Sequence, residues 1–386
     1  MDLSSELEYF LTEKLPELAT AERMTYDSQV ELGRSIVVYG CGNLGRKLVR
    51  ALKTLGQSPV AFVDGNDNLW GKTVENLPVY SPEDGARLFG RTSALVVTIW
   101  SPGKDRRFAV IRQQLIDCGF EKVIHFLPLF WKHAELLLPH YRLDLPSRML
   151  SSAYDVRSAF ELLEDATSKV EYLAQLRWMI HADSSLVPPG LPLRDTYFPK
   201  ELFALHEQEC FIDCGAFDGD TMKEFLKRTN SIFDRIIAYE PDPQNFEKLH
   251  NYTNSLPEAV KEKIRLEKSV LGAVPGVVRF AAMGSVTSNV TASGTISVQR
   301  ETLDELLQGV VPSYIKMDIE GAEMEALEGG TEAIKSHHPK LAVCVYHIQG
   351  HLWQIPLKIR ELNPDYHFYL RRYEDEFGDS VCYAVP

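Results

Sequence analysis

Two apolar runs in the second half of this sequence are each followed by side chains able to move a proton. Asp318 and Glu320 follow the run 314–317, and His347 closes the run 341–346. A carboxylate or an imidazole beside a hydroxyl can take its proton when a group is transferred to that oxygen, and histidine titrates near neutrality. We therefore expect Asp318, His347 and Glu320 to be catalytic. The alternatives are that Glu320 caps the next helix and that His347 is a satisfied structural residue.

A second set of residues indicates a nucleoside site. The segment 211–221 runs from an apolar strand into a turn with two glycines, and the strand 236–239 ends at Glu240. Glycine allows a backbone to approach a ligand closely, and an acid at the second strand end can accept hydrogen bonds from both ribose hydroxyls. Phe217 stands where a dinucleotide site has a glycine beside the pyrophosphate. The pattern therefore favours S-adenosylmethionine, which has no phosphates.

The residues expected to bind this cofactor lie in the turn and at the ends of the next two strands. They are Asp213, Gly215, Ala216, Gly219, Asp220, Thr221, Glu240, Pro241 and Val270. Asp213 either meets the amino group of the ligand or braces the turn by accepting backbone N–H bonds. Val270 either borders the adenine or belongs to the core. Asp242, beside Pro243, is expected to cap the following helix.

Several motifs in order extend the interpretation over about residues 195–386. They read Thr302-Leu-Asp-Glu-Leu, Ile315-Lys-Met-Asp-Ile-Glu-Gly-Ala-Glu and Pro339-Lys-Leu-Ala-Val-Cys-Val-Tyr-His. This order resembles the FkbM family of S-adenosylmethionine-dependent methyltransferases. The resemblance implies methylation of a hydroxyl on a sugar, glycan or secondary metabolite, which is either free or linked to a nucleotide or carrier. The family tends to continue Lys-Pro-Glu-Asp-Leu, where this chain has residues 348–352, Ile-Gln-Gly-His-Leu. That departure leaves a non-catalytic scaffold or sensor as the alternative.

The N-terminal half carries its own glycine pattern, Gly40-x-Gly42-x-x-Gly45, with Asp64 at the end of the next strand. The segments 68–72 and 77–83 resemble the nucleotide-sugar-binding domain of bacterial sugar acyltransferases. Three interpretations stay open: a dock for a nucleotide- or carrier-linked substrate, a unit that only packs or dimerises, and a redox NAD site. The glycine pattern alone does not choose among them.

The elements around these residues predict an α/β protein. We expect two Rossmann-like, doubly wound domains joined by a helical segment, the second with a class I methyltransferase fold and an antiparallel edge strand. The expected boundaries are a helical lead-in at 1–24, domains at 25–132 and 196–386, and a connector at 133–195. Strands are expected at 36–39, 60–63, 94–100, 123–127, 211–214, 236–239, 264–271, 276–282, 314–318, 341–347, 367–372 and 380–385. Ser81 and Pro82 are expected to open a helix.

Composition narrows the class of partner. The chain has 386 residues, of which 45% are hydrophobic and 25% charged, and its net charge is −13. Nucleic acid and anionic membrane surfaces need clustered cations, so neither is expected as the main partner. The six cysteines are dispersed without paired zinc spacing, and we expect buried thiols. The paired acids and His347 could instead ligate a divalent ion such as magnesium, but no dedicated metal motif is present, so no metal ion is expected. No secretory signal or 18-residue apolar run is present, which favours the cytoplasm. A homodimer is compatible with the sequence.

Overall fold

The computed structural model describes residues 2–12, 14–31, 33–100, 108–181, 188–284, 289–291, 294–373 and 379–386. These residues form two compact units. The first unit takes its residues from the chain up to Ala153 and from Ala174–Pro189. The second takes them from Tyr154–Leu173, Gly190–Tyr373 and Asp379–Pro386.

The first unit is a parallel α/β sheet with helices before and after it. Its helices are α1 (Leu3–Leu11), α2 (Leu15–Gln29), α3 (Asn43–Thr54), α4 (Pro82–Phe89), α5 (Phe108–Asp117), α6 (Leu127–Lys132), α7 (Ala134–Leu137) and α8 (Pro146–Ser151). Its strands are β1 (Ser35–Tyr39), β2 (Ala61–Val63), β3 (Thr73–Val74), β4 (Leu77–Tyr80), β5 (Ser93–Val97) and β6 (Val123–His125). They form one sheet in the order β3-β4-β2-β1-β5-β6, parallel except for the pair β3 and β4.

Local chemistry explains these elements. The strand β5 is buried along its whole length, as a parallel strand covered on both faces must be. The prediction for α4 is confirmed, because the hydroxyl of Ser81 accepts the N–H of Asp84 and Pro82 occupies the first turn. The strands β3 and β4 were not predicted from their composition, since Pro78 and a two-residue pairing give little β signal.

The second unit begins with helix α9 (Ala153–Leu162), from Tyr154 onward, and the first half of α10 (Ala166–His181). Its other helices are α11 (Asp220–Arg228), α12 (Pro243–Asn254), α13 (Glu258–Lys261), α14 (Leu303–Leu306), α15 (Glu323–Gly329), α16 (Thr331–His337) and α17 (His351–Leu362). Its strands are β7 (Cys210–Cys214), β8 (Arg235–Tyr239), β9 (Ile264–Glu267), β10 (Val270–Leu271), β11 (Gly276–Ala281), β12 (Asn289–Val290), β13 (Ile296–Glu301), β14 (Tyr314–Met317), β15 (Lys340–Cys344), β16 (His367–Arg372) and β17 (Ser380–Val385).

Seven of these strands form the main sheet, in the order β16-β17-β15-β14-β7-β8-β9. The five strands from β15 to β9 are parallel, and β17 pairs antiparallel with both β15 and β16. The predicted antiparallel edge strand is therefore wrong in position. The antiparallel strand lies one place inside the edge, and the edge strand β16 runs parallel to the rest. Both strands were expected, but their apolar runs do not encode which one inserts.

A smaller sheet of four strands, in the order β10-β13-β11-β12, completes the second unit. The single strand expected at 264–271 is in fact two strands, because the chain leaves the main sheet after Glu267 and joins the small sheet at Val270. The strands β12 and β13 were not predicted. In β13 only Val298 is buried, so polar residues outnumber the apolar ones that would have marked it.

The core of the second unit lies under the middle of the main sheet, where stacked aromatic rings such as Phe211 and Phe225 fill the space between strand and helix. All six cysteines are free thiols; five are buried and Cys118 is half-buried. Within the described ranges, no helix combines the length and the apolar character needed to cross a bilayer.

Candidate active site

The turn that follows β7, residues 215–219, is called the glycine turn below. Gly215 has a φ of +85°, and a Cβ added to it would lie 1.9 Å from the carbonyl oxygen of Asp318. The residue is therefore glycine because the backbone after β14 crosses it, a reason that the sequence did not reveal. Gly219 has a φ of +90° and precedes α11, and the ring of Tyr252 packs 2.9 Å from the place of its missing Cβ.

The other predicted residues of the turn are held by the local backbone. Ala216 is buried and donates its N–H to the carbonyl of Tyr239. The carboxylate of Asp220, in the first turn of α11, accepts the N–H of the buried Thr221 at 2.6 Å. The glycine turn is thus tied to the end of β8, and Asp220 stabilises the first turn of α11.

Glu240 stands at the end of β8 with 6% of its surface exposed. Its two carboxylate oxygens accept the N–H groups of Phe217 and Asp242, at 2.8 and 2.9 Å. Burial raises the pKa of Glu240 to about 7. Each oxygen retains a lone pair for a further donor, so a pair of ribose hydroxyls fits this carboxylate. Asp242 caps α12 through the N–H groups of Gln244 and Asn245, as predicted, and Pro241 lies half-buried between the two acids.

Two buried polar atoms beside these elements make no hydrogen bond with the described residues. They are the hydroxyl of Ser269, just after β9, and one carboxylate oxygen of Asp218 in the glycine turn. Buried polar groups without partners are costly, and a nucleoside would supply donors and acceptors here. Val270 packs instead in an apolar cluster with Phe280 and Val298, which is the core alternative. These residues fit an adenosine-type ligand.

Asp213 pairs with a lysine rather than with the backbone. Its carboxylate is fully buried, and Lys316 Nζ lies 3.0 Å from Oδ1 while donating to the carbonyl of Gly215 at 2.6 Å. No backbone N–H among the described residues donates to Asp213, so the alternative that it accepts backbone N–H bonds is wrong. Burial raises the pKa of Asp213 to about 6 although Lys316 opposes the shift.

The three residues expected to be catalytic come together beyond the ends of β14 and β15. His347 is 2% exposed, and its Nε2 lies 3.4 Å from Asp318 Oδ1 and 3.3 Å from Glu320 Oε1. The strand β14 ends at Met317, so Lys316 lies within the strand and the two acids lie beyond it. Lys316 reaches the glycine turn, whereas the acids face His347. Glu320 has a φ of +56°, in the left-handed region.

Two residues that the sequence analysis missed complete this group. Glu323 is fully buried, with Oε1 2.8 Å from His347 Nδ1 and Oε2 3.2 Å from His351 Nδ1. Glu323 also accepts the N–H of Ile319, so it, and not Glu320, satisfies the backbone before α15. His351 belongs to the segment that departs from the family pattern, and that departure supplies a second imidazole for Glu323.

Two tyrosines that the sequence analysis also missed hold Asp318. The hydroxyl of Tyr197 donates to Oδ2 at 2.8 Å, and that of Tyr346 donates to Oδ1 at 3.1 Å. Tyr197 precedes every motif quoted for the second half of the sequence, so nothing local marks it. Tyr346 adjoins His347, but an aromatic residue in an apolar run predicts a core position and not a hydrogen bond to Asp318.

The charges in this group shift its pKa values in different directions. Burial would lower the pKa of His347, but attraction to Glu323 and the other carboxylates raises it well above 6.5. Burial would raise the pKa of Asp318, but the charges of Lys316 and His347 lower it. Burial raises the pKa of Glu320. The carboxylates around His347 thus favour the charged form of its ring, and its catalytic role stays a prediction.

In the first unit, Asp64 and close backbone packing hold the predicted glycine loop, residues 40–45, in place. The carboxylate of Asp64 accepts the N–H groups of Cys41 at 2.7 Å and Asn66 at 2.8 Å. A Cβ on Gly45 would lie 2.0 Å from the carbonyl oxygen of Gly40, whereas a Cβ on Gly42 would meet nothing within 4 Å. Gly45 is thus required by packing, and Gly42 borders open space.

Comparison with known proteins finds a family model that matches part of the second unit. Residues 213–379 match the methyltransferase FkbM domain. A hexuronic acid methyltransferase, AglP of Haloferax volcanii, is 33% identical over 109 residues, which are 26% of this chain and 43% of that protein. The matched part thus spans less than half of that relative's length.

The fold is shared over a longer stretch. A crystal structure of a methyltransferase FkbM from Methylobacillus flagellatus KT matches with a TM-score of 0.80 at 21% identity, covering 99% of this chain and 100% of that one. At this identity the likeness shows the mixed α/β fold with its parallel sheets. The resemblance of the first unit to sugar acyltransferases stays a prediction.

Proposed function

We propose that the chain transfers a methyl group from S-adenosylmethionine to a hydroxyl of a sugar or glycan. The observation that carries the proposal is the contact between the glycine turn and the group formed by Asp318, Glu320 and His347. Gly215 of the turn lies against the backbone of Asp318, and Asp318 faces Glu320 and His347. A donor held at the turn and an acceptor held at the acids would therefore be neighbours, as an in-line displacement needs.

The donor side is built from Glu240, Ser269 and the glycine turn. Glu240 would accept the two ribose hydroxyls, and the unpartnered hydroxyl of Ser269 would bond to the adenine edge. The bound cofactor supplies a methyl group activated by its sulfonium charge. The buried pair of Asp213 and Lys316 would hold the glycine turn in place without contacting the ligand.

On the acceptor side, Glu320 is the best-suited proton acceptor. Its pKa is raised by burial, which makes its carboxylate more basic than that of Asp318, whose pKa is lowered. Its side chain also keeps 17% exposure, against 2% for His347. Asp318, fixed by Tyr197 and Tyr346, would orient the acceptor hydroxyl. The name of the Haloferax relative makes a uronic acid in a glycan the first acceptor to test.

Binding of the donor is the first test. Isothermal titration of the full chain with S-adenosylmethionine, and with its demethylated product, should show one site. Glu240→Gln should weaken binding at least about tenfold, since hydrogen bonds to a charged group are worth about 1.5–3 kcal/mol. Glu247→Gln makes the same chemical change at an exposed position of α12 and should bind as the parent does. Equal affinities in the two variants would contradict the ribose assignment.

Transfer is the second test. Labelled S-adenosylmethionine incubated with glycans containing uronic acids should yield a labelled glycan. Glu320→Gln should lower turnover by about 10²–10⁴, the usual contribution of a general base, and leave donor affinity unchanged. A protein that binds the donor but labels no sugar, glycan or metabolite extract would be the non-catalytic sensor instead.

A further inference from the structure

The side chains of Asp318, Glu320 and His347 have a geometry that proton transfer alone does not require. One oxygen of each carboxylate and His347 Nε2 all lie within 4.8 Å of one another. Ligand atoms that share one ion at about 2.0–2.2 Å are separated by about 2.8–3.6 Å along the edges of its coordination shell. The distances of 3.3 and 3.4 Å from Nε2 to the two acids fall in that range.

A second observation points to a ligand at the same place. His347 Nε2 is buried and makes no hydrogen bond with any described residue, although two carboxylates face it. The other ring nitrogen, Nδ1, lies 2.8 Å from the buried carboxylate of Glu323. A carboxylate that fixes one imidazole nitrogen turns the other toward a metal ion, which is the common outer arrangement of protein metal sites. His351 Nδ1 lies 3.2 Å from the far oxygen of Glu323.

We propose that Asp318, Glu320 and His347 bind one divalent transition-metal ion, each through one atom, with Glu323 as the residue that orients His347. The expectation of no metal rested on the absence of a sequence motif, and these ligands come from two loops that only the fold brings together. One imidazole and two carboxylates suit Mn²⁺ better than Mg²⁺, which prefers oxygen ligands alone.

Such an ion would leave coordination positions open for the acceptor. A sugar offers pairs of neighbouring oxygens, and two of them could chelate the ion while the reacting hydroxyl faces the glycine turn. Glu320 would keep its second oxygen free to take the proton. This part of the inference rests on the proposed function, whereas the binding of the ion does not.

The test uses the full chain, stripped with EDTA and desalted, with Mn²⁺ as the probe and neither cofactor nor acceptor present. Calorimetry, and the electron paramagnetic resonance signal of free Mn²⁺, should report one ion per chain. Glu320→Gln and Asp318→Asn should weaken binding at least about tenfold, and Glu323→Gln by about 10–100-fold as an orienting residue. Glu328→Gln, exposed on the same helix α15 as Glu323, should bind as the parent does.

Three results would overturn the site: no saturable binding of Mn²⁺, equal affinity in Glu320→Gln and Glu328→Gln, or Mg²⁺ competing as well as Mn²⁺. Circular dichroism shows whether a variant of a buried residue fails to fold. In that case the Mn²⁺ affinity of Glu320→Gln, at a partly exposed residue, decides whether the site exists. A protein that binds Mn²⁺ but transfers no methyl group would support the site and contradict the proposed function. Full transfer by a protein that binds no Mn²⁺ would support the proposed function and contradict the metal site.

Discussion

Replacing Lys316 with methionine tests how the site is supported. The change keeps the length of the side chain but removes the charge opposite Asp213, at a position where the side chains are 2% and 0% exposed. At 3.0 Å and an effective dielectric constant of about 20, the lost attraction is about 5 kcal/mol. Removing one partner of a buried ion pair costs about 3–5 kcal/mol. We expect Lys316→Met to lower the free energy of unfolding by that amount at pH 8.

The loss should depend on pH in a direction that Asp213 sets. Burial raises the pKa of Asp213 to about 6 even with the lysine present, and without it the pKa must rise further. A carboxyl whose pKa is raised in the folded state is tolerated while protonated, and the fold loses stability as pH rises through that pKa. The destabilisation should therefore be smaller at pH 5 than at pH 8.

Urea unfolding followed by circular dichroism at both pH values gives the measurement. Lys335→Met, on the exposed side of α16, is the matched control and should change stability by less than about 0.5 kcal/mol. The double variant Asp213→Asn with Lys316→Met should recover most of the loss, because no unpaired charge remains. A Lys316→Met loss close to that of the control, or one that is the same at both pH values, would refute the reasoning.

Three further predictions concern single positions. Gly215→Ala should destabilise the fold by at least about 2 kcal/mol in urea unfolding, because its Cβ meets the Asp318 carbonyl and its φ is positive; a neutral result would contradict the contact. Glu240 has a folded pKa of about 7 against about 4.5 unfolded, so its stabilising contribution, present below pH 4.5, is lost as pH rises through 7. Glu240→Gln should remove about 3 kcal/mol of this pH dependence, and unfolding curves at pH 4.5 and 8 that parallel those of the parent would contradict the shift. Gly42→Val should fold normally, since its Cβ meets nothing within 4 Å. If the first unit docks the acceptor, the variant should raise the KM for the acceptor in steady-state kinetics, whereas an unchanged KM would leave that unit a packing or dimerisation role.

The sequence predicted what depends on neighbours along the chain. Asp242 beside Pro243 signals a helix cap, and the apolar run before Glu240 signals a strand end, so both were found where expected. Gly215 was predicted from its place in the turn, but a glycine in a turn gives no sign that the Asp318 backbone approaches it. In each case the pattern indicated the local backbone conformation but not the residues that pack around it.

The missed residues act across long separations in the chain. Tyr197 bonds to Asp318 over 121 positions, and Glu323 to His347 over 24. No period or motif links such pairs, since only the packing of the main sheet brings them together. The same limit applies to the raised pKa of His347. Its strand-end position was visible in the sequence, but the buried carboxylate of Glu323 beside its ring was not.

The place of β17 in the main sheet affects the order in which the chain can fold during synthesis. It follows β16 along the chain, yet it lies between β15 and β16 and pairs with the outer edge of β15. Until residues 380–385 leave the ribosome, β15 ends the parallel part of the sheet with an unpaired edge, next to the loop that carries His347. An unpaired, apolar edge strand is open to pairing with other chains. The edge beside His347 therefore stays open to pairing with other chains until β17 pairs with β15.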